Sequence, residues 1–285
     1  MTKIYVPQPI PEVAAAKLAT LGEVTTYPHV DHQIPEDKLI EAVRDQDILF
    51  AVGEVPYNAA VINAAKDLQF IGAMHGSAKF VDFAAATAKN VPVAGNPKLT
   101  ARTTAEFTFA LLMSTAWRLP EADTFLREGK WRQNQSMAFM GTRLYDKKLG
   151  IVGMGQIGQM VARKASGCDM KILYTKRTRL SAAEEIAIGS ADYRGIEDLF
   201  MESDFILLTP LLTKETKGLV GERLISMMKP SAILVNTSRG PVLDEVALEK
   251  ALREKRIRGA ALDVYQTEVP EPNPGPIEGL KSLPN

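Results

Sequence analysis

Residues 149–179 read LGIVGMGQIGQMVARKASGCDMKILYTKRTR, and this stretch decides the fold. Its opening apolar run, residues 149–152, is typical of a buried parallel strand. A GxGxxG pattern follows at residues 153–158, and helical spacing continues to Gly167, a predicted C-cap. A second apolar run at residues 170–174 then completes a βαβ unit of about 30 residues. This order of strand, glycine turn, helix and strand favours dinucleotide binding over a purely structural glycine turn.

Each glycine of the motif has its own physical role. Gly153 makes the tight turn, Gly155 lets the backbone approach a pyrophosphate, and Gly158 lets the helix pack closely on the strand. The helix then begins at Gln156 and Ile157, where free N–H groups and the helix dipole offer a partial positive charge to the phosphates. We therefore predict that these five residues bind the cofactor.

The second strand of the unit ends in Thr175, Lys176, Arg177, Thr178 and Arg179. NAD-binding units usually place Asp or Glu about 20 residues past the glycines, where the acid holds the ribose 2′-hydroxyl. Here no carboxylate is present, and three cations could meet a 2′-phosphate. The stretch therefore favours NADP(H) over NAD(H). A solvated basic turn is the structural alternative, and NAD(H) remains possible because some units without the acid accept it.

Composition limits the class of protein and its partners. The 285 residues allow one large or two medium domains, with 46% hydrophobic and 24% charged residues. The 34 basic and 34 acidic residues cancel, so neither nucleic acid nor a membrane is an expected partner. The single cysteine, Cys168, excludes an internal disulfide and indicates a reducing cytoplasm. We predict no metal site, and we interpret His29 and His32 as solvated residues of a polar loop.

The first part of the chain alternates strand-like and helix-like segments, which implies a parallel sheet with helices on both faces. Strands are predicted at 3–6, 23–27, 47–52, 68–73 and 91–94, and helices at 11–21, 36–44, 57–66 and 82–89. No glycine fingerprint occurs here, so this module is expected to hold the substrate. The turn after the fourth strand contains His75, Gly76 and Ser77 at the carboxyl edge, where ligands bind in doubly wound folds. Its backbone N–H groups could hold a carboxylate, and His75 is either a further donor or placed by packing.

A linker is predicted at residues 96–98, followed by an apolar-rich helix at 103–117 with Thr103 or Thr104 near its N-terminus. The loop at residues 131–140 has apolar side chains that indicate either a dimer contact or a folded-back loop. Further helices are predicted at 122–128, 196–201, 222–228 and 245–253, and strands at 204–209, 232–236 and 259–262, before an irregular tail at 270–285. The two arrays predict two domains, residues 1–98 and 99–285, with a cleft between them.

Polar residues follow the strands of the second array. Thr209 and Pro210 end one strand where an adenine could rest. Arg239 follows another, and an arginine there can bind a carboxylate through two parallel hydrogen bonds. Asp263 ends the last strand and Glu268 follows it; an acid behind a proton donor can orient that donor and raise its pKa. Structural salt bridges would explain these charged residues equally well.

Five stretches together resemble the D-isomer-specific 2-hydroxyacid dehydrogenases. They are residues 105–112 (AEFTFALL), 149–158 (LGIVGMGQIG), 213–221 (TKETKGLVG), 228–240 (MKPSAILVNTSRG) and 259–268 (GAALDVYQTE). The resemblance covers nearly the whole chain from about residue 68, and the Thr-Lys-Arg-Thr stretch makes the glyoxylate/hydroxypyruvate reductase type the most similar. It implies a Rossmann-type nucleotide domain and a flavodoxin-like substrate domain. We also expect a homodimer.

The resemblance implies a role for each matching residue. Arg239 would bind the carboxylate and carbonyl of a 2-oxo acid, Glu268 would pair with a histidine acid/base, and Asp263 would hold the nicotinamide carboxamide. The substrate carboxylate would also meet the turn of His75, Gly76 and Ser77. Further cofactor contacts are implied for Thr104, Thr209, Pro210, Thr216, Thr237, Ser238 and Arg239.

One departure from the family concerns the proton donor. The acid/base histidine and the C-terminal helix that returns to the substrate domain are both expected beyond residue 285. Either the sequence is a shortened one, or the protein lacks its general acid. The implied activity is an NADPH-preferring reduction of glyoxylate or hydroxypyruvate, equally a D-2-hydroxyacid dehydrogenase in reverse. The alternative is a non-catalytic nucleotide-sensing module, such as a corepressor on the same fold. Phosphite or formate oxidation is a weaker enzyme alternative.

Overall fold

A computed structural model describes the chain apart from residues 54, 75–79, 96, 135–136, 268–273 and 284–285, and apart from the side chains of residues 97–99. The chain divides into two compact units, Met1–Ala101 and Arg102–Asn285. Each unit contains one sheet whose described strand pairs are all parallel. The predicted α/β class with two doubly wound sheets is therefore confirmed.

The first unit alternates strands and helices. Its elements are β1 (Lys3–Val6), α1 (Glu12–Ala19), β2 (Glu23–Thr26), α2 (Glu36–Ala42), β3 (Ile48–Ala51), α3 (Ala59–Ala64), β4 (Phe70–Ala73), α4 (Phe83–Ala88) and β5 (Val93–Gly95). The strands pair in the order β2-β1-β3-β4-β5. This is the flavodoxin-like doubly wound order, which places ligands beyond the carboxyl ends of the strands.

The boundary between the units falls within a long helix, α5, so the second unit contains most of that helix and a larger sheet. Its elements are α5 (Pro97–Ala116), α6 (Leu119–Arg127), β6 (Lys148–Val152), α7 (Gln156–Ser166), β7 (Lys171–Thr175), α8 (Ala182–Ala187), β8 (Asp192–Tyr193), α9 (Ile196–Glu202), β9 (Phe205–Leu208), α10 (Glu222–Ile225), β10 (Ile233–Asn236), a 3₁₀ turn (Gly240–Val242), α11 (Glu245–Arg253), β11 (Gly259–Leu262) and α12 (Glu278–Lys281). The strand order is β11-β10-β9-β6-β7-β8. From the β8 edge this is the 3-2-1-4-5-6 order of a Rossmann sheet, in which the order reverses between β6 and β9.

Apolar strands explain why the second sheet is covered on both faces. β9 and β10 are buried at every position. Leu207 and Val235 enter a cluster that also contains residues of α5 and α7, whereas Ile206 and Leu234 enter a cluster with residues of α9, α10 and α11. Successive strand residues point to opposite faces of a sheet, so each strand supplies both clusters. Long apolar runs at these strands are the sequence signature of that arrangement.

The predicted linker at residues 96–98 is wrong for two of its residues. Pro97 and Lys98 form the first turn of α5, where proline is favoured because its fixed φ suits a helix and its missing N–H is not needed; Asn96 lies outside the described residues. Thr103 and Thr104 therefore lie within α5 and not at its start. Although α5 has 20 residues, no helix in the described part of the chain is both long and apolar enough to cross a membrane.

Four short elements are additional to the predicted ones. α8 begins with a capping box in which Ser181 and Glu184 satisfy each other's backbone N–H groups. β8 has only two residues, the 3₁₀ turn has three, and α12 has four and lies in the tail predicted to be irregular. Elements this short give a weak helical or strand period, although the four-residue α10 lies within a predicted helix.

Candidate functional site

The centre of the candidate site is the turn between β6 and α7. Gly153 has φ of +95°, a conformation that strains any residue with a Cβ. Its N–H donates to the Thr175 carbonyl at 2.9 Å. A Cβ on Gly153 would lie 2.7 Å from the backbone nitrogen of Pro210. Both the backbone conformation and the adjacent end of β9 therefore require glycine here.

Gly158 allows α7 to pack against this turn. An added Cβ would lie 2.6 Å from the Gly153 carbonyl oxygen and 3.2 Å from Thr209 Oγ1. Thr209 Oγ1 donates to the same carbonyl at 2.6 Å. Thr209 thus stabilises the glycine turn, while the cofactor contact expected for it and for Pro210 stays a prediction.

Gly155 faces open space at the start of α7. A Cβ added to it would have no heavy atom within 4 Å. It is the N-cap of the helix, and no side chain hydrogen-bonds to the first turn there. Gln156 and Ile157 therefore begin the helix with uncapped amides at the positive end of its dipole. A glycine in open space beside such amides fits a diphosphate that must approach the backbone closely.

Arg179, one of the three predicted phosphate-binding cations, is committed to a structural ion pair. Its Nε and Nη2 donate to the two carboxylate oxygens of Glu185 at 2.9 and 3.1 Å, and the Tyr174 hydroxyl donates to the same group at 2.6 Å. Hydrogen bonds from Arg179 and then Tyr174 lower the pKa of Glu185. Burial, together with the hydrogen bond to Glu185, raises the pKa of Tyr174 to about 12. The predicted set of three cations is therefore reduced to two.

Those two cations are Lys176 and Arg177, which lie between Thr175 and Thr178 at the carboxyl end of β7. In the part of the chain that the structure describes, neither has a salt-bridge partner. Arg177 is exposed and Lys176 is half-buried. Both side chains are consequently available to an anion beside the glycine turn.

The loop after β9 is held together by its own threonines. Thr216 Oγ1 donates to the Leu211 carbonyl at 2.6 Å and accepts the Thr213 N–H at 2.8 Å. A hydrogen bond from Thr213 and one from the backbone lower the pKa of Glu215, and the charge of Arg177 adds to this effect. The loop therefore lies within electrostatic reach of the basic end of β7. The hydroxyl of Thr216 is already used within the loop, and its cofactor contact stays a prediction.

Asn236, the last residue of β10, arranges the residues that follow it. Its Oδ1 accepts the Ser238 N–H at 3.1 Å and the Ser238 hydroxyl at 2.8 Å, and its Nδ2 donates to the Arg239 carbonyl at 3.2 Å. The half-buried Arg239 donates from Nη1 to the Ser238 carbonyl at 2.6 Å. A fully buried amide thus fixes the backbone that presents Arg239. The sequence prediction did not single out Asn236, although a polar residue at the end of an apolar strand was a usable signal.

Thr237 joins this segment to α5. Its hydroxyl oxygen lies 2.8 Å from that of Thr108, and both residues are buried. Thr104 lies one helical turn before Thr108 on the same face of α5 and is half-buried. The structure therefore connects Thr237 to the helix face that contains Thr104, and the cofactor contacts of Thr104, Thr237 and Ser238 stay predictions.

Asp263 follows β11 next to the Arg239 segment. Its N–H donates to the Asn236 carbonyl at 3.0 Å, so Asp263 and Arg239 follow neighbouring parallel strands at the same sheet edge. Glu268 lies outside the described residues. The same holds for the predicted carboxylate turn, His75, Gly76 and Ser77. The roles given to these four residues stay predictions.

Glu245 is a second supporting residue that the sequence prediction missed. Its side chain is 1% exposed, and its carboxylate accepts the N–H groups of Gln266 and Ile277 at 2.5 and 3.3 Å. Asp244 before it caps α11, as predicted, by accepting the N–H groups of the first turn. A buried carboxylate therefore holds the chain on both sides of Glu268.

Comparison with known proteins places these features in a family context. Residues 109–285 match the model for the D-isomer specific 2-hydroxyacid dehydrogenase, NAD binding domain. A glyoxylate reductase of Thermococcus gammatolerans is 40% identical over 270 residues, which cover 93% of this chain and 80% of that protein. The TT0316 protein from Thermus thermophilus superposes with a TM-score of 0.87 at 31% identity, covering 99% of this chain and 87% of that one. The acyclic imino acid reductase Bsp5, solved in complex with NADPH and D-Arg, gives 0.79 at 26% identity, covering 100% and 87%.

Proposed function

This chain belongs to the D-isomer specific 2-hydroxyacid dehydrogenase family and is an oxidoreductase of a hydroxyacid CH–OH group, and from that premise we propose that it reduces glyoxylate and hydroxypyruvate with NADPH in preference to NADH. In the reverse direction it would oxidise the corresponding 2-hydroxy acid. Similarity to the glyoxylate reductase of Thermococcus gammatolerans supports the first substrate. Hydroxypyruvate has the same 2-oxo acid group. It is proposed as the second substrate because the Thr175–Thr178 stretch resembles the glyoxylate/hydroxypyruvate reductase type.

The preference for NADPH rests on one observation, the character of the β7 end. This end has no carboxylate to hold a ribose 2′-hydroxyl, and Lys176 and Arg177 make no salt bridge within the described residues. A 2′-phosphate would give these cations an anionic partner and charge-assisted hydrogen bonds, whereas a ribose hydroxyl carries no charge. The solved complex of Bsp5 contains NADPH, so a protein of similar fold binds the phosphorylated cofactor.

The proposed chemistry assigns positioning and proton handling to the protein. When bound at the glycine turn, the reduced nicotinamide supplies a hydride for C2 of the 2-oxo acid. Arg239 would bind the substrate carboxylate and polarise the carbonyl from the backbone that Asn236 holds. Asp263 would hold the carboxamide, the turn of His75, Gly76 and Ser77 would meet the carboxylate, and Glu268 would orient the histidine acid expected beyond residue 285.

The cofactor part of the proposal is tested by charge reversal at the exposed Arg177. In Arg177→Asp the affinity for NADPH should fall by about tenfold to hundredfold, because a charge-assisted hydrogen bond contributes roughly 1.5–3 kcal/mol. Affinity for NADH should change much less. Nucleotide fluorescence titration measures both constants on the same protein.

Arg179→Ala is the matched control for that experiment. Because Arg179 is bound to Glu185, its removal should lower the thermal midpoint and leave the ratio of NADPH to NADH affinity unchanged. An equal loss of both cofactors in Arg177→Asp would contradict the 2′-phosphate assignment. Turnover of glyoxylate and hydroxypyruvate by the complete gene product then tests the substrates, and cofactor binding without turnover would favour the nucleotide-sensing alternative.

The proposal also includes a homodimer that uses the apolar surface of α6 and the loop after it. Leu126, Trp131 and Met137 are 57%, 55% and 78% exposed. A cavity of about 500 Å³ lies among α6 and loop residues that include Phe125 and Phe139. Exposed apolar patches of this kind on a globular protein commonly mark an interface. Sedimentation should show a dimer that Trp131→Glu dissociates and that Trp117→Glu does not.

Cellular location is a separate part of the proposal. The chain contains a single cysteine, which supports a reducing compartment such as the cytoplasm. Fractionation of cells that express the tagged gene product would measure the location directly, and recovery in an oxidising compartment would contradict it.

A further inference from the structure

Three side chains with metal-binding donor atoms come together in the loop between β2 and α2. His29, Asp31 and His32 each offer one donor atom, and these atoms lie within 4.8 Å of one another. Asp31 Oδ1 is 3.0 Å from His32 Nδ1 and 4.0 Å from His29 Nδ1. The two imidazole rings have centroids 4.5 Å apart. Both histidines are exposed, as predicted, and their convergence on Asp31 is a further feature of the loop.

We propose that this loop binds a divalent transition-metal ion, with Zn²⁺ as the expected species. Two imidazoles and one carboxylate suit Zn²⁺, whose bonds of about 2.0–2.2 Å to nitrogen and oxygen place the ligands of a tetrahedral site roughly 3.3 Å apart. The separations of 3.0 and 4.0 Å measured from Asp31 Oδ1 lie on either side of that value. Calcium and magnesium fit poorly because they prefer oxygen ligands. Water would complete the coordination.

Tyr27 orients one of the proposed ligands. Its hydroxyl lies 3.1 Å from His32 Nε2. When Nε2 carries the proton and donates to this oxygen, the lone pair of His32 is on Nδ1, the nitrogen nearest Asp31. Metal-binding histidines usually have such an outer hydrogen bond, which fixes the tautomer. In that tautomer the Tyr27 contact would orient His32 to bind a metal through Nδ1, whereas in the other tautomer Nδ1 donates to Asp31.

The proposed ligands are open to solvent. The side chain of Asp31 is 76% exposed. The histidine side chains are half exposed, at 51% and 50%, so an ion can reach them from solvent.

The proposed metal site is separate from the candidate substrate turn, and it goes beyond the proposed function. The loop follows β2, whereas the candidate substrate turn follows β4. In the order β2-β1-β3-β4, three strand spacings separate the strands β2 and β4, or about 14 Å. The ion is therefore expected to fix the conformation of the loop without taking part in turnover.

Calorimetric titration of zinc chloride into the chain tests the site. All proteins would contain Cys168→Ser, which removes the only thiol. We expect one ion per chain and its loss in the double variant His29→Ala/His32→Ala. Tyr27→Phe keeps the ligands and should weaken binding by about tenfold. The matched control is His75→Ala, which removes the one remaining histidine and should bind like the parent.

The outcomes distinguish zinc bound at His29, Asp31 and His32 from zinc bound nonspecifically elsewhere on the chain. Stoichiometric binding by the double variant, loss of binding in His75→Ala, or no binding by the parent would each overturn the proposal. Circular dichroism in EDTA should give the same spectrum for the parent and the double variant, because His29 and His32 are exposed. As a second readout, Co²⁺ should give the visible absorption of a tetrahedral complex with the parent and none with His32→Ala. Equal absorption from both proteins would also overturn it.

Discussion

Two alanine substitutions in the glycine turn should separate folding from cofactor binding. Gly155 and Gly158 belong to the same motif, yet an added methyl group meets open space at Gly155 and the Gly153 carbonyl oxygen at 2.6 Å at Gly158. Gly155→Ala should therefore keep the fold and obstruct the diphosphate. Gly158→Ala should instead push α7 away from β6.

The expected magnitudes follow from these contacts. Inserting a methylene into a packed site costs about 1–3 kcal/mol, and each kcal/mol lowers the midpoint of a domain of this size by roughly 2–4 °C. Gly158→Ala should therefore lower the thermal midpoint by roughly 2–12 °C. Gly155 has φ of −85°, which alanine adopts without strain. Alanine lowers the conformational entropy of the unfolded chain and so stabilises the folded Gly155→Ala protein, but it is a weaker N-cap than glycine. Because the two effects oppose each other, the free energy of unfolding should change by no more than about 0.5 kcal/mol.

Thermal unfolding without nucleotide and fluorescence titration with NADPH measure the two effects separately. Gly155→Ala should keep the midpoint and lose at least about tenfold in affinity, since the diphosphate can no longer reach the uncapped amides. Parent-like affinity in a normally folded Gly155→Ala protein would refute the placement of the diphosphate. An unchanged midpoint in Gly158→Ala would refute the packing argument.

Glu245→Gln should lower the free energy of unfolding by about 1–3 kcal/mol, because its amide would oppose a buried backbone N–H with another donor. In denaturant titrations Glu278→Gln, whose carboxylate is 87% exposed, is the control, and equal shifts of the two midpoints would contradict the role of Glu245. Burial alone would raise the pKa of Asp204, but the Lys148 N–H and the Lys229 ammonium more than offset this and lower it. The stabilisation from Asp204 is therefore present above the unfolded pKa of about 4 and is lost as the pH falls through the folded value. Asp204→Asn should flatten the acid dependence of unfolding, and an unchanged slope below about pH 4 would contradict this.

All strands except β8 were predictable, and the signal is strongest in the central strands such as β9 and β10, which are buried on two faces. The predicted strand at 259–262 is β11 with the same bounds, and the prediction at 232–236 exceeds β10 by one residue. The order of βα units then fixes parallel pairing, since crossover connections allow little else. Errors occur at both ends of the helices: the helix predicted at 222–228 ends at Ile225, and others begin at a different residue. The N-cap of α3 is Asn58, whose side chain accepts the Val61 N–H, so the helix begins later than its apolar pattern indicates.

The ion pairs of the basic side chains after β7 were less predictable than the strands. Arg179 has the same composition signal as Lys176 and Arg177, and only its ion pair distinguishes it. That pair depends on Glu185 in α8, a helix that the sequence prediction missed. The basic stretch therefore indicates the preferred cofactor but does not show which of its cations is free to meet it.

The residues that support the site were missed for a different reason. Asn236 and Glu245 are both buried, and each places a polar group where an apolar one would cost less unless every hydrogen bond is made. Asn236 makes its bonds to the segment that presents Arg239, and Glu245 makes its bonds on both sides of Glu268. A buried polar residue beside a candidate catalytic residue is therefore better interpreted as its support than as a flaw in the core. The position of Arg239 therefore depends on the hydrogen bonds that Asn236 makes to the Ser238–Arg239 segment.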